Sequence, residues 1–143
     1  MTFSRIASRV APVFAVCLLL SPVLFAAEDI TGKWAGSFII TRDGQTDEQA
    51  VHMVATQKGT ELTGTIGENA ETQWPILNGK ILTTKVEGKD VTKITLDVHV
   101  GGTPDGPLAH FSLSLANGHL KGDAKAEKDG QTMTAVVDMQ RLK

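Results

Sequence analysis

This chain has almost no cysteine, no tyrosine and little net charge. One cysteine among 143 residues excludes a disulfide framework and a cysteine zinc site within the chain. There is no tyrosine, and tryptophan and phenylalanine together make 5%. A formal charge of −2 supplies no basic surface for nucleic acid. No P-loop, nucleophile elbow or zinc-protease helix occurs. N-x-S/T sequons are absent. Beyond the first 27 residues no stretch has the period of a long amphipathic helix. What is present, 41% hydrophobic and 21% charged residues, is too apolar for disorder and suits one globular domain.

Residues 1–27 have the layout of a cleaved signal peptide. Arg5 and Arg9 make a positive start, Val10 to Leu20 is apolar apart from Pro12, and Ala26 and Ala27 offer a small-residue cleavage point. The apolar run is too short to span a bilayer. Export to the periplasm or outside the cell is expected, with no stable membrane insertion after cleavage. Cleavage removes Cys17, Phe3, Phe14 and Phe25. It also removes two bases and no acid, so the net charge of the remaining 28–143 domain falls from −2 to −4.

That domain alternates apolar and polar residues almost throughout, the period of half-buried strands. Ile94, Leu96, Val98 and Val100 share one face against Lys93, Thr95, Asp97 and His99; Phe111, Leu113 and Leu115 oppose His110, Ser112 and Ser114. Turn dipeptides punctuate these runs at Asp43-Gly44, Lys58-Gly59, Glu68-Asn69, Asn117-Gly118 and Asp129-Gly130, with further breaks at 88–90 and over 101–107. Asn78-Gly79 is assigned as a bulge within one long strand. Eight strands follow, near 30–41, 49–57, 60–67, 71–84, 91–100, 108–116, 119–127 and 131–142. Short sequential connections and one apolar face predict an all-β fold, an eight-stranded antiparallel up-and-down β-barrel.

Gly32-Lys33-Trp34 resembles the Gly-x-Trp that opens the first strand of calycin barrels, the lipocalins and avidins. Leu62-Thr63-Gly64-Thr65 resembles the third avidin strand, and Arg141-Leu142 the basic residue that ends the last calycin strand. The LTGT pattern is also similar to that of small exported bacterial proteins of unassigned function. The resemblance implies that Arg141 packs across Trp34 and closes one end of the barrel, an arrangement that cation–π attraction favours on its own account. Ile66 and Ala35-Gly36 depart from the avidin pattern; together with the lack of tyrosine they exclude a biotin site.

By parity the inward wall comprises Trp34, Phe38, Met53, Ile66, Trp74, Leu96, Val98, Phe111, Leu113, Met133 and Val137, the candidate ligand-binding residues. Gly36, Gly64, Gly122, Ala124 and Ala135 also point inward, and either leave volume for a ligand or let a tightly coiled barrel close. Two functions follow from these alternatives. One is a barrel binding a small apolar or amphipathic molecule; the other is a packed, cavity-free barrel serving as an envelope structural or protein-interaction module. No catalytic residue and no cofactor is expected, since Ser37, Ser112 and Ser114 lie on outward positions with no evident base. Pairing Val98 with Phe111 would set His99 opposite His110, a weak metal candidate with too few ligands for a complete site. An up-and-down order also gathers the acidic turns at 43–48, 68–71 and 129 at one end, which would favour a neutral or cationic ligand. The sequence indicates no protein partner.

Overall fold

A computed structural model describes residues 29–143; the expected signal segment lies outside the described residues. The described chain is all-β. Nine strands follow in order: β1 (Gly32–Arg42), β2 (Gln45–Lys58), β3 (Glu61–Gly67), β4 (Gln73–Pro75), β5 (Leu77–Val86), β6 (Lys89–His99), β7 (Leu108–Ala116), β8 (His119–Lys128) and β9 (Gln131–Arg141). Every ladder is antiparallel. The order is β2-β1-β9-β8-β7-β6-β5-β3-β4, and a further β2–β3 ladder joins the sheet into a ring.

The hairpins form where backbone chirality permits. Asp43-Gly44, Glu87-Gly88, Asn117-Gly118 and Asp129-Gly130 all carry positive φ at both positions, the requirement of a type I′ turn. The turn before β6 therefore falls one residue earlier than the Gly88-Lys89-Asp90 expected from composition, and β6 begins at Lys89.

The strand expected over 71–84 is two strands, which corrects the count from eight to nine. Pro75 has no N–H for a ladder, and the chain leaves the strand at Ile76, whose N–H donates to Gly64 O at 2.9 Å. β4 continues against β3 alone, while β5 pairs with β6 and meets β3 at Glu61 and Leu62. At Asn78-Gly79 the β5–β6 register shifts between Leu77 and Lys80, and Asn78 has φ of 51°. That dipeptide is a bulge, as its sequence setting suggested. Counted around the ring, β4 and β5 share one position.

Burial follows the alternation. Along β6, Thr92, Ile94, Leu96 and Val98 are buried while Lys93, Thr95 and Asp97 are not. The core runs through the ring from Ile30 and Trp34 at one end to Phe111 and Ala126 toward the other. Gly36, Gly64 and Gly122 do not supply open space. A Cβ on them would lie 1.8, 1.9 and 1.9 Å from the carbonyl oxygens of Asp138, Val54 and Ser112 respectively. They let neighbouring backbones approach where the strands coil.

Candidate functional site

One end of the ring is closed from the sequence ends. Trp34 and Arg141 are cross-strand partners on β1 and β9, and the guanidinium carbon stands 4.6 Å from the indole centroid. Trp34 is 1% exposed, and its indole N–H donates to Ile30 O at 2.9 Å. Arg141 Nη1 and Nη2 donate to Thr31 O at 2.5 Å and Asp29 O at 2.6 Å, strapping the entering chain across the end. Hydrogen bonds from Thr31, its side chain first and its backbone N–H second, hold the Asp29 carboxyl below its usual range.

The opposite end carries the β1–β2 turn, the 68–72 segment, the 100–107 loop and the β8–β9 turn. Here the interior opens into a cavity of about 250 Å³. Its depth is set by Phe38 on β1 and Phe111 on β7, with ring centroids 5.7 Å apart. Ile40, Ile66, Trp74, Val98, Val100 and Met133 continue the wall. The void exists because four facing positions carry only a methyl group. Ala109 pairs with Ala126 across β7–β8, and Ala124 pairs with Ala135 across β8–β9. All four line the cavity. A leucine at any of them would project into that space.

The 100–107 loop is tied to itself and to Trp74. Val100 N–H donates to Pro107 O, Gly102 N–H to His99 O, and Gly106 N–H to Thr103 O, each at 2.9 Å. A Cβ on Gly102, at φ of 75°, would fall 2.8 Å from Trp74 Cδ1, so the loop backbone rests on the indole edge.

Six of the eleven candidate wall residues line the cavity: Phe38, Ile66, Trp74, Val98, Phe111 and Met133. The other five, Trp34, Met53, Leu96, Leu113 and Val137, are at most 1% exposed and pack the closed half of the ring. Ile40, Arg42, Gln49, Glu68, Val100, Ala109 and Ala126 also line it and were not among the candidates. For Ile40, Arg42, Val100 and Ala109 the signal was present, since each continues the inward parity of its strand toward the open end, by one step or, for Arg42, by two.

The histidine pair is corrected by the register. β6 and β7 pair Val98 with Ala109, so Asp97 faces His110 and His99 faces Leu108. The slip of two residues arises because Val100 and Pro107 close the loop directly, which starts the ladder at His99 and Leu108. His110 Nδ1 instead bonds Asp97 Oδ1, and Asn78 Nδ2 donates to the other Asp97 oxygen at 3.1 Å. His99 Nδ1 lies 3.3 Å from Gly106 O. A second outer-wall pair joins His119 Nδ1 to Asp138 Oδ1 at 2.8 Å, with Lys121 Nζ 3.7 Å from Oδ2. The hydrogen bond from His119, and next the Lys121 charge, hold the Asp138 carboxyl below its usual range. Among the described residues, no three His, Cys, Asp or Glu side chains are placed to share a metal ion.

The arrangement is an apolar cup with one polar edge. No family model matches the chain, and neither a curated protein nor a solved structure does.

Proposed function

We propose that the chain is an exported, non-catalytic β-barrel of the calycin type, related in design to lipocalins and avidins, that holds one small apolar or amphipathic molecule in its open end. The observation that carries this reading is the apolar cavity of about 250 Å³ between Phe38, Phe111, Trp74 and the four alanines. An apolar cavity of roughly 150 Å³ takes up benzene, so this volume suits a ligand of about ten non-hydrogen atoms. With β4 and β5 in one position, eight places around the ring correspond to a small barrel, the size that encloses either side chains or one small ligand. The Trp34–Arg141 stack at the far end supports the calycin comparison, since it joins the first and last strands as the resemblance implies. A void left by facing alanines counts against the packed, cavity-free module.

The testing experiment is native mass spectrometry of the mature chain purified from its own compartment, before and after mild denaturation. An adduct that leaves on unfolding is the expected result, and its mass narrows the ligand class. A clean apo mass, with no uptake from a lipid and metabolite mixture, would overturn the reading.

A further inference from the structure

We infer that the molecule held in the cavity bears a singly charged anionic oxygen head, a carboxylate, and that Arg42 receives it; this rests on the cavity being a binding site. The inward positions of β1 are Trp34, Gly36, Phe38, Ile40 and Arg42, and those of β2 toward the same end are Met53, Val51, Gln49, Asp47 and Gln45. Both series turn polar only at the cavity mouth, where Arg42 and Gln49 are part of the wall.

Arg42 is exposed at the mouth, and among the described residues its guanidinium has no oxygen acceptor. Its Nη2 donates to Met133 Sδ at 2.9 Å, a thioether of the cavity wall and a weak acceptor. Among the described residues, no carboxylate lies within 4.0 Å of it. A guanidinium presents five donors in a fork matched to a carboxylate, so this one is left with its strongest recognition chemistry unused at the mouth of an apolar cup.

The acidic residues of this end do not cancel that charge. Asp43 and Asp129 occupy turn positions, and Glu48 pairs with Ile39 on the outer wall. Asp47 faces inward opposite Ile40 but is not part of the cavity wall, and it accepts from Gln49 Nε2 at 3.2 Å. Glu68 is the one carboxylate in the cavity wall, and Lys125, the other cation there, stands between the buried Ala124 and Ala126 on the outward face of β8. One inward cation beside one acid suits a head with a single negative charge, because a second charge would stand against Glu68 and the acidic turns. The geometry thus reverses the preference for a neutral or cationic ligand that the acidic turns suggest on composition alone.

Octanoate, octan-1-ol and octylammonium have the right size, about ten non-hydrogen atoms or slightly fewer, and differ only in the head. Each is titrated by calorimetry into the full mature chain at low salt and neutral pH. Octanoate is expected to bind about tenfold more tightly than octanol, with octylammonium weakest. Arg42→Gln should erase the octanoate preference, bringing octanoate to about the affinity of octanol for the same variant. Arg42→Lys should keep part of it, and Glu68→Gln should strengthen octanoate. Octanol binding with no octanoate preference, or a preference that survives Arg42→Gln, would overturn the head-group assignment while leaving the cavity reading intact. Failure of all three probes to bind the parent would overturn both.

Discussion

Replacing Arg141 by alanine tests whether the closed end holds the ring together. The substitution removes the guanidinium from over the Trp34 indole, 4.6 Å from its centroid, and with it two hydrogen bonds to the carbonyls of Asp29 and Thr31. A cation over an indole is worth about 0.5–2 kcal/mol, toward the upper part when the ring is desolvated, as Trp34 is at 1% exposed. Charged hydrogen bonds contribute about 1.5–3 kcal/mol each when buried. These two are exposed, water replaces the lost donor, and only a fraction of that range applies. The consequence reaches inward, because the strap positions Ile30, fully buried, whose carbonyl accepts the Trp34 N–H. The sum is roughly 2–3 kcal/mol. For a domain of this size that is a fall in melting temperature of about 8–12 °C.

Thermal unfolding followed by far-UV circular dichroism measures it directly. In a Trp74→Phe background Trp34 is the sole indole of the described residues, so acrylamide quenching reports whether the strap has lifted. Arg141→Lys keeps the charge but loses the planar fork and should recover less than half of the stability. If Arg141→Ala melts within about 2 °C of the parent, a shift worth under 1 kcal/mol, and Trp34 stays shielded, the stack is ornamental and the closure argument fails.

The cavity, the outer wall and the strand crossings give three further predictions. Ala124→Leu should fill the void, raising stability by up to about 2 kcal/mol at 0.8 kcal/mol per buried methylene and abolishing octanol uptake in calorimetry; unchanged uptake would remove Ala124 from the site. Asp138 has a carboxyl pKa lowered from its usual 3.8 by the His119 hydrogen bond, so it adds stability above that value and loses it as the pH falls through the lower folded pKa. His119→Gln should therefore move the Asp138 titration, followed by carboxyl NMR, upward and reduce the acid-side loss of stability; an unmoved titration would show that the histidine is not the cause. Gly122→Val places a Cβ 1.9 Å from Ser112 O and should cost about 3 kcal/mol or more in denaturant unfolding, whereas a parent-like midpoint would mean that β7 and β8 can part there without penalty.

What alternation conveys is the face of a strand: Ile94, Leu96, Val98, Phe111 and Leu113, all assigned inward, are buried, whereas Leu115 is half-buried and Val100, at the open end, is exposed. It does not convey height along the ring. Height depends on register, and parity defines register only modulo two, so Val98 opposite Phe111 and Val98 opposite Ala109 are equally consistent with the pattern. The same ambiguity separates a wall residue from a core residue. Phe111 and Leu113 are consecutive inward positions of one strand, yet Phe111 lines the cavity and Leu113 lies beneath it. The break at Ile76 was hidden for a different reason, because the missing Pro75 N–H matters only once β3 is known to be its neighbour.

Arg42 shows what remains legible even so. Its parity with Trp34, Phe38 and Ile40 was visible from the sequence, and a charge on the inward side of a strand end must reach either solvent or a ligand. Counting the acidic turns hides this, since net charge averages over side chains that point away from the cavity. The charge that meets a ligand is that of the groups in the wall, here Arg42 and Glu68 with Lys125 turned to the outer face, and their placement is a property of the closed ring rather than of composition.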